Sequence, residues 1–553
     1  MRGWTVAGLL LALLVPPRIA SAPACPCLSM TSGDGLPAQV IGDERGYSVV
    51  ADGMTLSVTR GSRRPSSYAR ASVSATGDAR VYILGVQFPD APATQSFGPV
   101  ADGVASTITA YLEGVSAGAL TLEVTSLADS WFTASKPAAF YGADGAGVDD
   151  LNQPIYELAR EVFVSADSSV DYRDLDLNAN GTLEMGEAHV IVIQSGNDQA
   201  ATGMGNDIWS HRWWVYGVAA GGVDTRLDGV LLSEPGGDGG EVSAGYVMVA
   251  ASDPVGVVVH ELLHSFGAPD LYDVSGSSAV PVGPWSVMDI GLWLGSPPGT
   301  RPCRPGGYLE WDIDADPGNG VSGWLTPSYP GDGEHTLAGL GSGGGIHLIL
   351  TPVESEFFLL ENRTRAGIDD QIPEDGLLIY HIDVSQPVNN VESSPPYRVW
   401  LEDPGSRPMK RGAAFSEDDG PDQASFTPAT TPSSHTNRGD PTGIAITAVG
   451  AEGLTMPYRL SGAIPAVQSP HLATWPVPAH PGCTLSVLLP LGSPTTGTLD
   501  LVDISGRSLL SHRLSGGISQ PLITLPARQQ CGALMLVYRA GGARHTAPVI
   551  VIP

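Results

Sequence analysis

The run PVGVVVHELLHSFGAPDLYD, Pro254 to Asp273, constrains this chain more than any other stretch. A helix drawn through it is apolar on nearly every face and so belongs inside the protein. It nevertheless carries imidazoles and carboxylates, and buried groups of that kind need a compensating partner. Asp253-Pro254 reads as a helix start, an N-cap followed by proline at the first helical position, with the helix running from Pro254 to about Phe266. On it His260 and His264 stand at i and i+4, one turn apart on one face. Two imidazoles so placed can bind one zinc ion at about 2.0–2.1 Å each. Glu261 is rotated away from that face, within reach of a metal-held water but not of the metal. Gly267 lets the chain leave the helix in a left-handed turn, and Ala268-Pro269 leads Asp270 back as an oxygen ligand. Three protein ligands leave a fourth position for water, which distinguishes a catalytic zinc site from a structural one. Zinc lowers that water's pKa to about 7, so that Glu261 can take its proton and later pass it to a leaving group. The competing reading, a core helix with satisfied histidines, leaves the placement of Gly267 and Asp270 unexplained.

The remaining 533 positions of the 553-residue chain exceed one hydrophobic core, so several domains are expected. Lys+Arg 28 against Asp+Glu 58 gives a net charge of -30. That balance argues against nucleic acid or an anionic membrane surface as a partner. The opening MRGWTVAGLLLALLVPPRIASA has Arg2, a short apolar run and small residues at Ala20 and Ala22, the pattern of an export signal spanning residues 1–22. No later stretch offers enough unbroken apolar residues to span a bilayer, so an exported, secreted or cell-surface protein is expected. Cys25, Cys27 and Cys303 form no metal pattern, and Cys483 with Cys531 is a candidate staple for the C-terminal module.

Along the chain the expected class is α+β. VYILGVQFPD and AHVIVIQSG read as buried strands, and LNQPIYELAREVFVSA as an amphipathic helix between them, an α/β core up to about Gly267. Beyond Asp270 short strands (IHLILTPV, EFFLLENR, GLLIYHID, PYRVWLED) separated by Gly, Pro and Asp make a β-rich half. A Pro-rich linker then leads to a tail of short strands read as an antiparallel β-sandwich. The divisions are 1–22, 23–78, 79–330, 331–462 and 463–553.

DLNANGTLEMGE, Asp176 to Glu187, fits the twelve-residue calcium loop without a gap. Asp176, Asn178 and Asn180 would offer side-chain oxygens and Thr182 its carbonyl. Gly181 makes the sharp turn, Glu184 acts through water, and Glu187 binds in bidentate fashion. No helix follows, so an isolated structural Ca2+ site is expected rather than a paired sensor.

HELLHSFGAPDLYD resembles the H-E-x-x-H-x-x-G-x-P-D-L-Y-D signature of the immune inhibitor A family of secreted bacterial metallopeptidases. The resemblance continues through VYILGVQFPD, NDIWSHRW, PWSVMDIG, FFLLENRTRAGIDDQIPEDGLLIYHID and FSEDDGPDQASFTP, in family order over roughly Arg80 to Ala451. It implies a zincin-like catalytic core, zinc on His260 and His264, Glu261 as general base, and protein or peptide substrates. For the third ligand it leaves two candidates, Asp270 and Glu361 of LLENR. If Glu361 binds, Asp270 and Asp273 become groups that orient the histidines. It also suggests Met288 of WSVMDIG as an apolar floor beneath those histidines, and 23–78 as a shortened propeptide. His211 and His381 receive no catalytic role. The rival reading is a calcium-binding extracellular surface or adhesion protein with an inactive peptidase-like domain, against which the intact His260, Glu261 and His264 argue.

Overall fold

Strand β4, His189–Gln194, is buried at every position, as a strand covered on both faces must be. Its side chains alternate between two cores. Ile191 and Ile193 enter one with Val81 and Ile83, while Val190 and Val192 enter the other with Leu84 and Val86. This fixes the architecture of the region that carries the metal motif. A six-stranded sheet runs in the order β2 (Leu120–Ser126), β1 (Gly77–Gln87), β4, β6 (Gly245–Ala250) and β5 (His211–Trp214), with β3 (Phe132–Thr133) also paired to β1. All pairings are parallel except β6 with β5. Helix α1 (Phe97–Val115) and helix α3 (Val255–Ser265) contribute to the first core, and helix α2 (Gln153–Ala166) to the second.

This computed structural model describes residues 39–43, 46–51, 54–59 and 75–551, apart from 144–152, 184–186, 203, 216–224, 234–243, 273–279, 314–322, 354, 387–395, 464–472, 476–483, 489–495, 504–506, 516–521, 526–531 and 541–542. The expected export signal, Cys25, Cys27, Glu184, Asp273, Cys483 and Cys531 lie outside the described residues. No helix among the described residues is long and apolar enough to cross a membrane.

The chain divides into two units, Gly61–Pro470 and the two segments Met1–Arg60 and His471–Pro553. In the first unit the β-rich half follows α4 (Gly307–Asp312). Its main sheet is β8 (Ile346–Leu350), β9 (Glu356–Arg363), β10 (Gly376–Asp383) and β11 (Val399–Leu401), antiparallel throughout, with Pro327–Ser328 added parallel to β8. A second sheet joins β7 (Gly333–Ala338), β13 (Thr455–Ser461) and β12 (Ala445–Thr447). Leu348, Leu359, Leu378 and Tyr380 belong to the same core as α1 and α3, so the β-rich half packs directly on the region that holds the metal motif. The other unit holds an antiparallel meander, Gln39–Asp43, Gly46–Ala51 and Met54–Thr59, and two antiparallel sheets of three and four strands between Ala473 and Val551. The fold is therefore mixed α+β.

Helix α3 is pressed against backbone from the segment beyond the metal motif. Gly256 donates its N–H to the Gly299 carbonyl at 2.9 Å. A Cβ at Gly256 would lie 1.9 Å from the Leu292 carbonyl oxygen, a backbone atom that cannot swing aside. Ala ordinarily gains about 1 kcal/mol over Gly inside a helix. Here overpacking of about 1–3 kcal/mol wins. Gly256→Ala is expected to lower unfolding stability by a net of up to ~2 kcal/mol in denaturant titration, and a stabilised variant would contradict this close approach.

Candidate metal centre

Helix α3 begins one residue later than its sequence suggests, with Pro254 at the cap position in extended backbone. Asp253 does not cap it. Its Oδ2 instead accepts from the Ala250 N–H and the Ser210 hydroxyl, both at 2.7 Å. The carboxylate thus ties the end of β6 to the segment entering β5, and a tertiary contact has displaced the local one. Burial first, then the charge of Asp198, pushes Asp253 up to about 7. At the other end of α3, Gly267 adopts φ 88°, the left-handed exit that its position demands.

The turn brings four side chains together. Nitrogen and oxygen atoms of His260, Glu261 and His264 lie within 4.8 Å of one another. Asp270 Oδ1 is 3.2 Å from His260 Nε2 and 3.3 Å from His264 Nε2. Glu261 Oε1 stands 4.0 Å from His260 Nε2, beside the group but not wedged between the rings. The rings are 4.7 Å apart and nearly perpendicular. All four residues are buried or nearly so.

Backbone carbonyls set the tautomers. His260 Nδ1 donates to the Val287 carbonyl at 2.8 Å, and His264 Nδ1 to the Ala268 carbonyl at 2.7 Å. A carbonyl only accepts, so both Nδ1 atoms carry hydrogen. In the neutral rings both Nε2 atoms then present lone pairs, and they present them toward a carboxylate oxygen. Three acceptors converging in a buried space require either an extra proton or a cation, and two nitrogens with one oxygen is a donor set zinc takes readily. Among the protein groups alone, burial disfavours the His260 imidazolium. The hydrogen bond to Asp270 and the charges of Glu261 and Asp270 outweigh it and raise His260 to about 9. Burial moves His264 the other way, down. Asp270, which burial alone would raise, is held far below the usual carboxylate range by the two imidazoles. Burial pushes Glu261 up to about 8, against the opposing charge of His260.

Glu361 is not part of this group. Its Oε1 accepts from Arg363 Nη1 at 3.0 Å and from the Tyr380 hydroxyl at 2.8 Å, and its Oε2 accepts from the Gly307 N–H. Both oxygens are engaged in a buried ionic cluster. Met288 lies in the core next to Val287, and its carbonyl accepts from the Leu271 N–H at 2.7 Å, close to Asp270 in sequence. The orienting carbonyls of Val287 and Ala268 escaped the sequence reading, because a backbone acceptor leaves no residue signature.

In the twelve-residue loop, Asp176 accepts from the N–H groups of Asn180 and Gly181 at 3.1 and 2.8 Å. Asn178 and Asn180 side chains accept from Asn180 and Thr182 N–H groups at 2.9 and 2.8 Å. Glu187 Oε1 reaches the Asn178 N–H at 3.0 Å, so the last position folds back on the first half of the loop, and Gly181 takes φ 82°. His381 is placed apart from the metal motif, between Glu356 at 3.0 Å and Glu402 at 3.7 Å.

Comparison with known proteins now bears on this geometry. The family described as immune inhibitor A peptidase M6, catalytic domain, matches residues 87–313. The chain resembles immune inhibitor A peptidases across its metal-binding region. It is 32% identical over 212 residues to immune inhibitor A of Bacillus thuringiensis subsp. alesti, covering 35% of this chain and 30% of that protein. It is 31% identical over 205 residues to the pre-pro-metalloprotease PrtV of Vibrio cholerae serotype O1, covering 34% of this chain and 21% of that one. The chain thus spans less than a third of the length of these relatives. The matched segment contains His260, Glu261, His264 and Asp270, and it ends before Glu361.

One histidine outside the site gives a clean test of the surrounding sheet. His211 is buried, its Nδ1 donating to the Trp209 carbonyl at 2.7 Å and its Nε2 3.1 Å from the Tyr246 hydroxyl. Burial lowers its pKa to about 4. The neutral ring is favoured in the folded state, so its stabilisation is complete above the unfolded value near 6.5 and is lost as pH falls toward 4. Between pH 7 and pH 4 the wild type should lose roughly 3 kcal/mol more stability than a His211→Gln chain. Parallel stability–pH curves for the two proteins would refute it.

Proposed function

We propose that this protein is a secreted zinc metalloendopeptidase with a zincin-like core. The observation that carries the reading is the meeting of His260 Nε2, His264 Nε2 and Asp270 Oδ1 at 3.2–3.3 Å, with both Nδ1 atoms already committed to carbonyls. His260, His264 and Asp270 would hold the zinc, and Glu261 would not. When bound, zinc supplies a Lewis acid that polarises the scissile carbonyl and lowers the pKa of water beside it to about 7. Glu261, buried and next to His260, accepts the proton of the attacking water and returns it to the amine nitrogen as the peptide bond breaks. The Val287 and Ala268 carbonyls keep the imidazoles in the ligating tautomer, and burial of the surrounding core keeps competing water away. Similarity to proteins named immune inhibitor A and pre-pro-metalloprotease supports peptide bonds as the substrate class.

The test uses the processed full chain with casein as substrate. Wild-type protein is expected to hold about one zinc per chain and to lose activity to a chelator. Glu261→Gln should retain the zinc and lose on the order of 10²–10⁴ in kcat, the usual contribution of a positioned general base. Asp270→Ala should lose zinc affinity, while Glu361→Gln should still bind zinc. Cleavage by Glu261→Gln at the wild-type rate would defeat the proposal.

The reading extends to the ends of the chain and to calcium. Residues 1–22 serve as an export signal, 23–78 as a propeptide, and the C-terminal sheets as a β-sandwich module. The Asp176–Glu187 loop binds Ca2+ through Asp176, Asn178, Asn180, the Thr182 carbonyl, Glu184 and Glu187, and so pins the segment before β4. A ligand that binds only the folded state at a hundredfold excess over its Kd stabilises by about 2.7 kcal/mol. Calcium should therefore raise the melting temperature of the wild type and leave that of Asp176→Ala unmoved. Equal shifts in both proteins would remove the loop as the calcium site.

A further inference from the structure

The carbonyl that orients His260 belongs to the segment Trp285–Met288, and that segment is held from behind by charge buried in the β-rich half. Arg363 on β9 is fully buried. Its Nε and Nη2 form a fork on Asp369 at 2.8 and 2.7 Å, and its Nη1 donates to Glu361 at 3.0 Å. The same Nη1 donates to the Trp285 carbonyl at 3.0 Å, two residues before Val287. Asp369 also accepts from the Arg304 N–H at 3.0 Å, and the Arg304 carbonyl accepts from the Val287 N–H at 3.2 Å. The guanidinium therefore grips the segment at two points leading up to the orienting carbonyl, directly at the Trp285 carbonyl and through Asp369 and Arg304 at the Val287 N–H. Tyr380 completes the cradle by donating to Glu361 at 2.8 Å.

We infer that Arg363, fixed by Asp369 and Glu361, is a positioning residue for the metal centre: it sets the Val287 carbonyl that aims His260 Nε2 at the metal. This rests on the zinc reading of His260, His264 and Asp270. Arginine is the residue this task needs. Its planar fork spans two carboxylates and a carbonyl at fixed angles, while a lysine in the same place keeps the charge and loses the fork. Groups that orient a metal-bound histidine commonly change metal affinity 10–100-fold when altered, without touching the metal.

The experiment measures zinc affinity by chelator competition on the processed full chain, together with melting temperature and the visible spectrum after Co2+ loading. Arg363→Lys is expected to weaken zinc about 10-fold and to shift the cobalt spectrum. His381→Gln is the control. It breaks another buried ion pair on β10, one with no direct hydrogen bond to Trp285–Met288 among the described residues, and it should lower the melting temperature while leaving zinc affinity unchanged. Wild-type affinity in a folded Arg363→Lys protein would overturn the inference. So would equal weakening in the His381→Gln control, because general loosening would then explain both. If Arg363→Lys does not fold, Tyr380→Phe decides, since it removes one donor to Glu361 and nothing else. Weakening of about threefold or more supports the inference, on the same outer-shell logic, and unchanged affinity overturns it. A wild-type chain that binds no zinc would bring down the proposed function and this inference with it, whereas tight wild-type binding matched by Arg363→Lys brings down this inference alone.

Discussion

Two imidazole N–H groups donating to two backbone carbonyls are the interaction on which the rest of the site depends. They decide which ring nitrogen faces the interior, so that in the neutral rings lone pairs, not hydrogens, meet Asp270. Without that commitment each histidine could turn its other nitrogen inward or donate to the carboxylate, and the three groups would satisfy one another as an ordinary buried polar cluster. With it, the arrangement is electrostatically incomplete until a cation or an extra proton arrives. That incompleteness is affordable only because the helix bearing the histidines is anchored on both sides, by the first core and by the contact of Gly256 with backbone at Leu292 and Gly299.

The β-rich half supplies much of this anchorage through charge as well as apolar packing. Arg304 and Arg363 face Glu310, Glu361 and Asp369 in an interior with almost no solvent contact. Such clusters are weak sources of net stability, because desolvation consumes most of the Coulombic gain. Their worth lies in geometry: a fork of N–H donors fixes the direction of each partner, and removing one member leaves a stranded charge. The same Arg304 side chain donates to the Val115 carbonyl at 2.7 Å, so α1 is indexed to the same cluster.

Much of this was legible from residue order. The apolar runs in β1, β4, β9 and β10 stand where their composition places them, and the i, i+4 histidines with Gly267 and Asp270 converge as their spacing implies. Where the reading slipped, a tertiary partner had outbid a local one. Asp253 before Pro254 is a good N-cap by rule, yet Ser210 and Ala250 claim its carboxylate. Glu361 entered as a candidate through the resemblance of LLENR, and in the structure its carboxylate accepts from Arg363, Tyr380 and Gly307. A signal was present: Glu361 and Arg363 are two apart on a strand and share a face, and a carboxylate with an arginine beside it inside a core is already neutralised. The orienting carbonyls had no signal at all.

The family match stops at residue 313, but the atoms steadying the metal segment from behind lie at Glu361, Arg363, Asp369 and Tyr380. The matched catalytic-domain region and mechanical integrity thus end at different places along this chain. A recombination or engineering boundary drawn at the edge of the matched region would cut between a bearing and its housing. An exchangeable module would have to carry β8 to β10 with it, so diversification of the β-rich half is tethered to the histidines on α3.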